Sequence, residues 1–296
     1  MRTPPRRLAF VLGLGVLGAW PAVAGAGSAA DLFYERSLIG AAGVRCKLFD
    51  SSVSAALTAS GRQARGAALR AGADPDALDQ LESRALDKAA HASCSSPDLA
   101  VVAKRVQAGF AGYARMNVMS FPGGLGTWRA DRGATAGAGA AWRLAQTAKG
   151  RSGTAIFGVA ATENGAETLT AVAGWPGALA ASGARLVMRD PSKAPRAYLD
   201  PRHADLAAQL PPRAMTRAFL ASARSLAAPG LLPPGSTTGA AFRFSAAAGA
   251  AMQRLDPREA VVLEVTYPTR DGERVEAIPV EVGDFSAGIA FLSAKR

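Results

Sequence analysis

Apolar residues in this 296-residue chain keep two different periods, and they keep them in separate stretches. Up to about residue 118 they recur every three or four positions, the spacing of one helix face. Beyond residue 126 they alternate, or sit in short runs between turn signals, as in strands. A chain that spends its helices first and its strands afterwards folds as an α+β protein, not as alternating βαβ units. The expected architecture is an N-terminal antiparallel helical bundle over residues 31–118. A β-rich, sandwich-like domain over residues 126–296 follows and ends in a short helix.

Within the bundle, Ile39, Ala42, Cys46, Phe49, Val53 and Ala56 step by three and four and predict one helix face from Asp31 to about Ala71. Asp74-Pro75-Asp76 then supplies an N-cap, a first-turn proline and a first-turn acid. Leu78, Leu81, Ala85 and Ala89 form the stripe of a second helix ending near His91. Ser96-Pro97-Asp98 repeats the start signal, and Leu99, Val102, Val106, Phe110 and Tyr113 mark a third helix. If the first two helices lie side by side, His91 falls level with about Ser54. Cys46 is then about 12 Å further along, at 1.5 Å per residue, and the three residues to Cys94 reach about 10 Å. The pair is therefore expected to form a Cys46–Cys94 disulfide.

That expectation fits the address written at the start of the chain. Arg2, Arg6 and Arg7 precede an apolar run from Leu8 to Trp20, and small-residue sites follow that end at Ala24, Ala26 or Ala30. Residues 1–24 thus read as a secretory signal peptide, and the run is too short for a membrane span of about 20 residues. The expected protein is periplasmic or secreted, with no transmembrane segment after cleavage. Removing residues 1–24 takes away three arginines and no acids, so the formal charge falls from +11 to +8. The basic residues are scattered singly and aromatics are 6% of the chain, without the basic–aromatic interleaving that stacks single strands. No nucleic-acid partner is expected. A basic surface outside the cytoplasm suits an anionic envelope component or a protein partner.

In the second part, Thr127–Arg129 and Ala141–Leu144 are strand-like, and Thr154–Ala161 and Thr168–Trp175 flank the hairpin signal Glu163-Asn164-Gly165. Arg185–Met188 is a further strand, residues 191–212 are proline-rich loop, and Met215–Ala223 is read as helix. Phe242 and Phe244 alternate with Arg243, Ala246–Leu255 is a small-residue helix, and Val261, Leu263, Val265 and Tyr267 alternate with polar neighbours. Asp271-Gly272 turns the chain into a return strand, Val275–Val282, which Pro279 pushes towards a sheet edge. Phe285, Ile289 and Leu292 lie on a final helix. This tail, with Gly283-Asp284-Phe285-Ser286-Ala287-Gly288 running into its helix, resembles the C-terminal part of the invasion-associated locus B family over residues 237–296. The resemblance implies an exported β-rich protein with an envelope or host-interaction role and no catalytic residues.

Catalytic signatures are missing: there is no Gly-x-Ser-x-Gly elbow, Walker loop, His-Glu-x-x-His helix or Ser-x-x-Lys motif. Two cysteines and two histidines at these spacings fit no zinc-finger pattern, so neither metal nor cofactor is expected. Candidate ligand-binding residues are Arg62 and Arg65, which with Arg70 fall near one helical face and suit an anion. Trp128 and Trp142 are candidates to line an aromatic groove. The expected function is non-enzymatic binding or envelope maintenance. The alternative is an exported hydrolase in which His203 works with Asp200 or Asp205.

Overall fold

A computed structural model describes residues 26–134, 139–162, 165–175, 177–199 and 205–293. The leader, the Glu163-Asn164 turn and the Asp200–His203 stretch named above lie outside the described residues.

Four helices come first: α1 (Ala26–Cys46), α2 (Ser51–Arg70), α3 (Pro75–His91) and α4 (Pro97–Arg115). The single helix expected from Asp31 to Ala71 is two. Asp50 caps α2 by accepting the Val53 N–H at 2.8 Å, and Lys47 takes a left-handed φ of 53°. Phe49, counted above as part of the stripe, leaves the helix and folds back against Gly43, where a Cβ would lie 2.5 Å from its ring. The helical spacing survives the break because Phe49 still points inward, which is why periodicity alone misses it. The start of α3 follows its signal closely, with the Asp74 carboxylate accepting the Asp76 N–H at 2.7 Å.

The hairpin of α1 and α2 changes the route to the disulfide without changing its partners. Cys46 ends α1 where α2 begins, α2 runs away, and α3 returns to the same end of the bundle. The Cys46–Cys94 bond is formed there, with the Cα atoms 5.4 Å apart. No described helix is long and apolar enough to cross a membrane.

The β region begins at residue 118, before the expected 126, because Val118–Pro122 is a strand (β1) paired with β2 (Thr127–Asp131). It continues through β3 (Ala141–Lys149), β4 (Thr154–Ala161), β5 (Glu167–Ala173), β6 (Gly183–Arg189), β7 (Thr216–Leu220), β8 (Ala223–Leu226) and β9 (Ala240–Phe244). Helix α5 (Ala246–Met252), the hairpin β10 (Ala260–Thr269) and β11 (Gly272–Glu281), and helix α6 (Phe285–Ser293) complete it. Residues 216–220 are strand where helix was expected. They pair with β6 from Arg189↔Thr216 to Arg185↔Leu220, so tertiary pairing overrides a weak local preference.

All pairings are antiparallel. One sheet has the order β1-β2-β3-β4-β5-β9-β8 and the other β11-β10-β6-β7. The sheets face each other over one core, in which Trp128, Phe157, Phe242 and Phe244 of the first meet Leu186, Met188, Leu263 and Ile278 of the second. Helix α6 closes the β1–β3 end, with the Phe285 ring centroid 5.0 Å from that of Trp128. Strand β11 is an edge, as Pro279 implied. The sheets are stitched where β11 passes β3. The Gln146 side chain donates to the Glu281 carbonyl at 3.2 Å and accepts its N–H at 2.9 Å, replacing a ladder partner with an amide. The Glu281 carboxylate then accepts the Gly124 and Leu125 N–H groups at 2.7 and 2.8 Å, and that of Gly126 as well. It fills the β1–β2 turn, so that glycine-rich loop has no room for an outside anion.

Candidate functional site

The bundle docks on the sandwich through one face of α2 and through Tyr113 near the end of α4, whose ring centroid lies 5.3 Å from that of Phe291. Gly66 allows the approach: a Cβ there would lie 2.5 Å from Asp284 Oδ1. One turn on, Arg70 grips Asp284 with two bonds of 3.0 Å each. Arg62 donates to the Ser286 carbonyl at 3.1 Å, and Arg258 reaches back to the Leu69 carbonyl at 3.3 Å. Arg70 is thus an anchor spent inside the molecule, and of the three arginines on this face only Arg62 and Arg65 border open space.

Burial pushes the Asp284 carboxyl above its ordinary value, against the opposing pull of Arg70. A raised folded pKa means stability that is complete below the ordinary carboxylate value and declines as pH rises through the raised one. Asp284→Asn removes that dependence. Its stability relative to the native protein, measured by urea midpoints from about pH 4 to pH 7, should therefore improve as pH rises; a constant difference would contradict the assignment.

Three adjoining cavities surround Arg65. The first, about 300 Å³, lies between α2 and the 252–257 and 282–286 connections, and is bordered by Arg62, Arg65 and Arg254. The second, about 360 Å³, runs between α1 and α2 past Arg36, Arg62 and Arg65, with Glu82 as its acid. The third, about 480 Å³, lies towards the proline-rich loop. There Asp74, Asp76, Asp79 and Asp256 offset the arginines, and Arg65 itself pairs with Asp79, Arg196 with Asp76 and Arg258 with Asp256. Arginines outnumber acids three to one in each of the first two cavities, where Asp284 and Glu82 are the acids. In the third they do so only five to four, and every arginine but Arg254 is paired. Arg254 is exposed and forms no ion pair among the described residues. Arg36 is half-buried, donates to the Ser60 carbonyl at 2.8 Å, and has its pKa lowered by that burial. A partly desolvated cation gains more from an incoming anion than a fully hydrated one does.

Arg36 and Arg254 escape a reading of the sequence. Arg36 faces α2 only because the Asp50 cap reverses the chain, which sets the Arg36 Cβ 3.9 Å from where a Gly61 side chain would begin. The cap signal was there to be read in Asp50-Ser51-Ser52. Arg254 arrives from 190 positions away through tertiary packing, and nothing local announces it.

The two tryptophans do not form one groove. Trp128 is fully buried in the inter-sheet core, donating its indole N–H to the Val282 carbonyl at 3.0 Å, so it is closed to any ligand. Trp142 lies on the opposite, outer face of the seven-stranded sheet. There its indole N–H is held by the Leu231 carbonyl at 3.1 Å, beside a cavity of about 740 Å³ floored by Thr168, Thr170 and Ala241. His203 and Asp200 lie outside the described residues. Asp205 is occupied in capping, accepting the Ala208 N–H at 2.9 Å. His91 donates from Nδ1 to the Asp87 carbonyl at 2.8 Å, as a helix-end imidazole does. Among the described residues no group of His, Cys, Asp and Glu is placed to hold a metal ion.

No protein-family model, no curated protein and no solved structure matches this chain.

Proposed function

We propose that this is an exported, non-catalytic binding protein of the periplasm or cell exterior, which engages an anionic component of the cell envelope through the arginines at the bundle–sandwich junction. The observation that carries this reading is the convergence of Arg36, Arg62, Arg65 and Arg254, from α1, α2 and the chain after α5, on two connected cavities holding more cations than acids. A secretory leader, a disulfide between the helices and the net basic charge support the same reading. Attraction of this kind is screened by salt, with a Debye length of about 10 Å at 0.1 M. Purified protein should be retained by envelope preparations at low ionic strength and released by about 0.5 M salt. Arg62→Ala combined with Arg254→Ala should lower retention about tenfold. Salt-insensitive retention, or none, would remove the proposal.

A further inference from the structure

The arginines are strung out rather than gathered, and that arrangement selects among anions. Arg65 borders all three cavities, Arg62 borders the two basic ones, and Arg36 and Arg254 stand at opposite ends of the run. Arg62 and Arg65 are about 4.5 Å apart along the α2 axis, at 1.5 Å per residue. A single phosphate or carboxylate between them would leave Arg36 and Arg254 unused. At about 30 Å³ per water, each basic cavity has room for on the order of ten waters, several times what one small oxyanion fills. Point-anion sites also gather backbone N–H groups around the charge. The β1–β2 turn, which gathers three such groups, is already filled by Glu281. The space between the guanidinium groups is lined by neutral hydrogen-bonding groups, Ser37 and Thr58 in one cavity, Gln253 and Ser286 in the other, with the half-buried Leu57 as apolar surface.

Resting on the reading of this trough as an anion site, we infer that its ligand is a linear acidic polysaccharide, threaded from between α1 and α2, past Arg62 and Arg65, to Arg254. One carboxylate per sugar meets the arginines in succession, the ring hydroxyls meet the serine, threonine and glutamine side chains, and a sugar C–H face lies on Leu57. A polyphosphate would satisfy the arginines but leave the hydroxyl-binding serine, threonine and glutamine side chains without a partner. The third cavity, where every arginine but Arg254 is already paired, offers the chain no further open cation and marks the end of the path.

Titration calorimetry on the full disulfide-bonded chain tests this with oligogalacturonates of one, three and six units, polyphosphate of matched charge and neutral dextran. Affinity should rise at least tenfold from the single unit to the longer oligomers, the hexamer should exceed polyphosphate, and dextran should not bind. Arg254→Ala, an exposed site that leaves folding intact, should weaken the hexamer about fivefold and the single unit little. Arg36→Gln should do the same from the other end. Equal affinity at all lengths, or unchanged binding in both variants, overturns the threading. Polyphosphate binding as tightly as the hexamer overturns the polysaccharide and leaves the trough as a general anion site. Failure of every polyanion overturns the proposed function itself.

Discussion

Replacing Glu259 by alanine should cost about 3–5 kcal/mol of unfolding free energy, the range for removing one partner of a buried ion pair. Arg189, at the end of β6, and Glu259, just before β10, are 4% and 0% exposed, and join through two bonds of 2.6 and 2.9 Å. Glu259 also accepts the Asp256 N–H at 2.9 Å. Arg189 donates to the Pro195 carbonyl at 3.2 Å and to that of Ala194. Without the carboxylate the guanidinium is left buried and unpaired, and the loop after β6 loses its anchor. Urea denaturation measures the loss, and limited proteolysis should show new cleavage between residues 190 and 199. Apolar replacement of both partners should recover only part of the stability, since it cannot satisfy the backbone groups that the pair now serves. A cost below about 1 kcal/mol for Glu259→Ala would mean that the pair anchors nothing.

Reduction of the Cys46–Cys94 bond should have an effect of similar size. The cysteines are 48 positions apart, and closing a loop of that length contributes about 4 kcal/mol in the chain-entropy treatment. At about 2–4 °C per kcal/mol for a chain of this size, the melting temperature should fall by roughly 10 °C in reductant and by a similar amount in the Cys46→Ser, Cys94→Ser double variant. Cys94 is exposed and therefore open to reductant. An unchanged melting transition would show that α1 and α3 hold together by packing alone.

The division into helices and then sheets was legible because the two hydrophobic periods occupy separate stretches and Asp-Pro and Ser-Pro signals mark the starts of α3 and α4. The disulfide was legible too, although the path drawn to it ran along one helix instead of a hairpin. Strands β1 and β8 were not legible. Val118–Pro122 carries a proline and Ala223–Leu226 is four residues long, and each becomes a strand only because a neighbour supplies the other half of the ladder. At the candidate site, Arg62 and Arg65 were visible as a helical pair, whereas Arg70 looked equivalent and is not. Its difference is a carboxylate 214 positions away, and no local pattern encodes that. Trp128 failed as a groove residue for a related reason: an alternating strand tells that one face is buried without telling which tryptophan lies on it.

The Glu281 carboxylate that fills the β1–β2 turn, together with the Asp284 carboxylate that holds Arg70, sets an order of events for the nascent chain. The first hairpin of the larger sheet and the docking of α2 both wait for residues 281–284, so neither can be completed while the polypeptide is still being synthesised and those residues have yet to emerge. A deletion that removes residues 281–284 would leave the earlier elements without their closing latch.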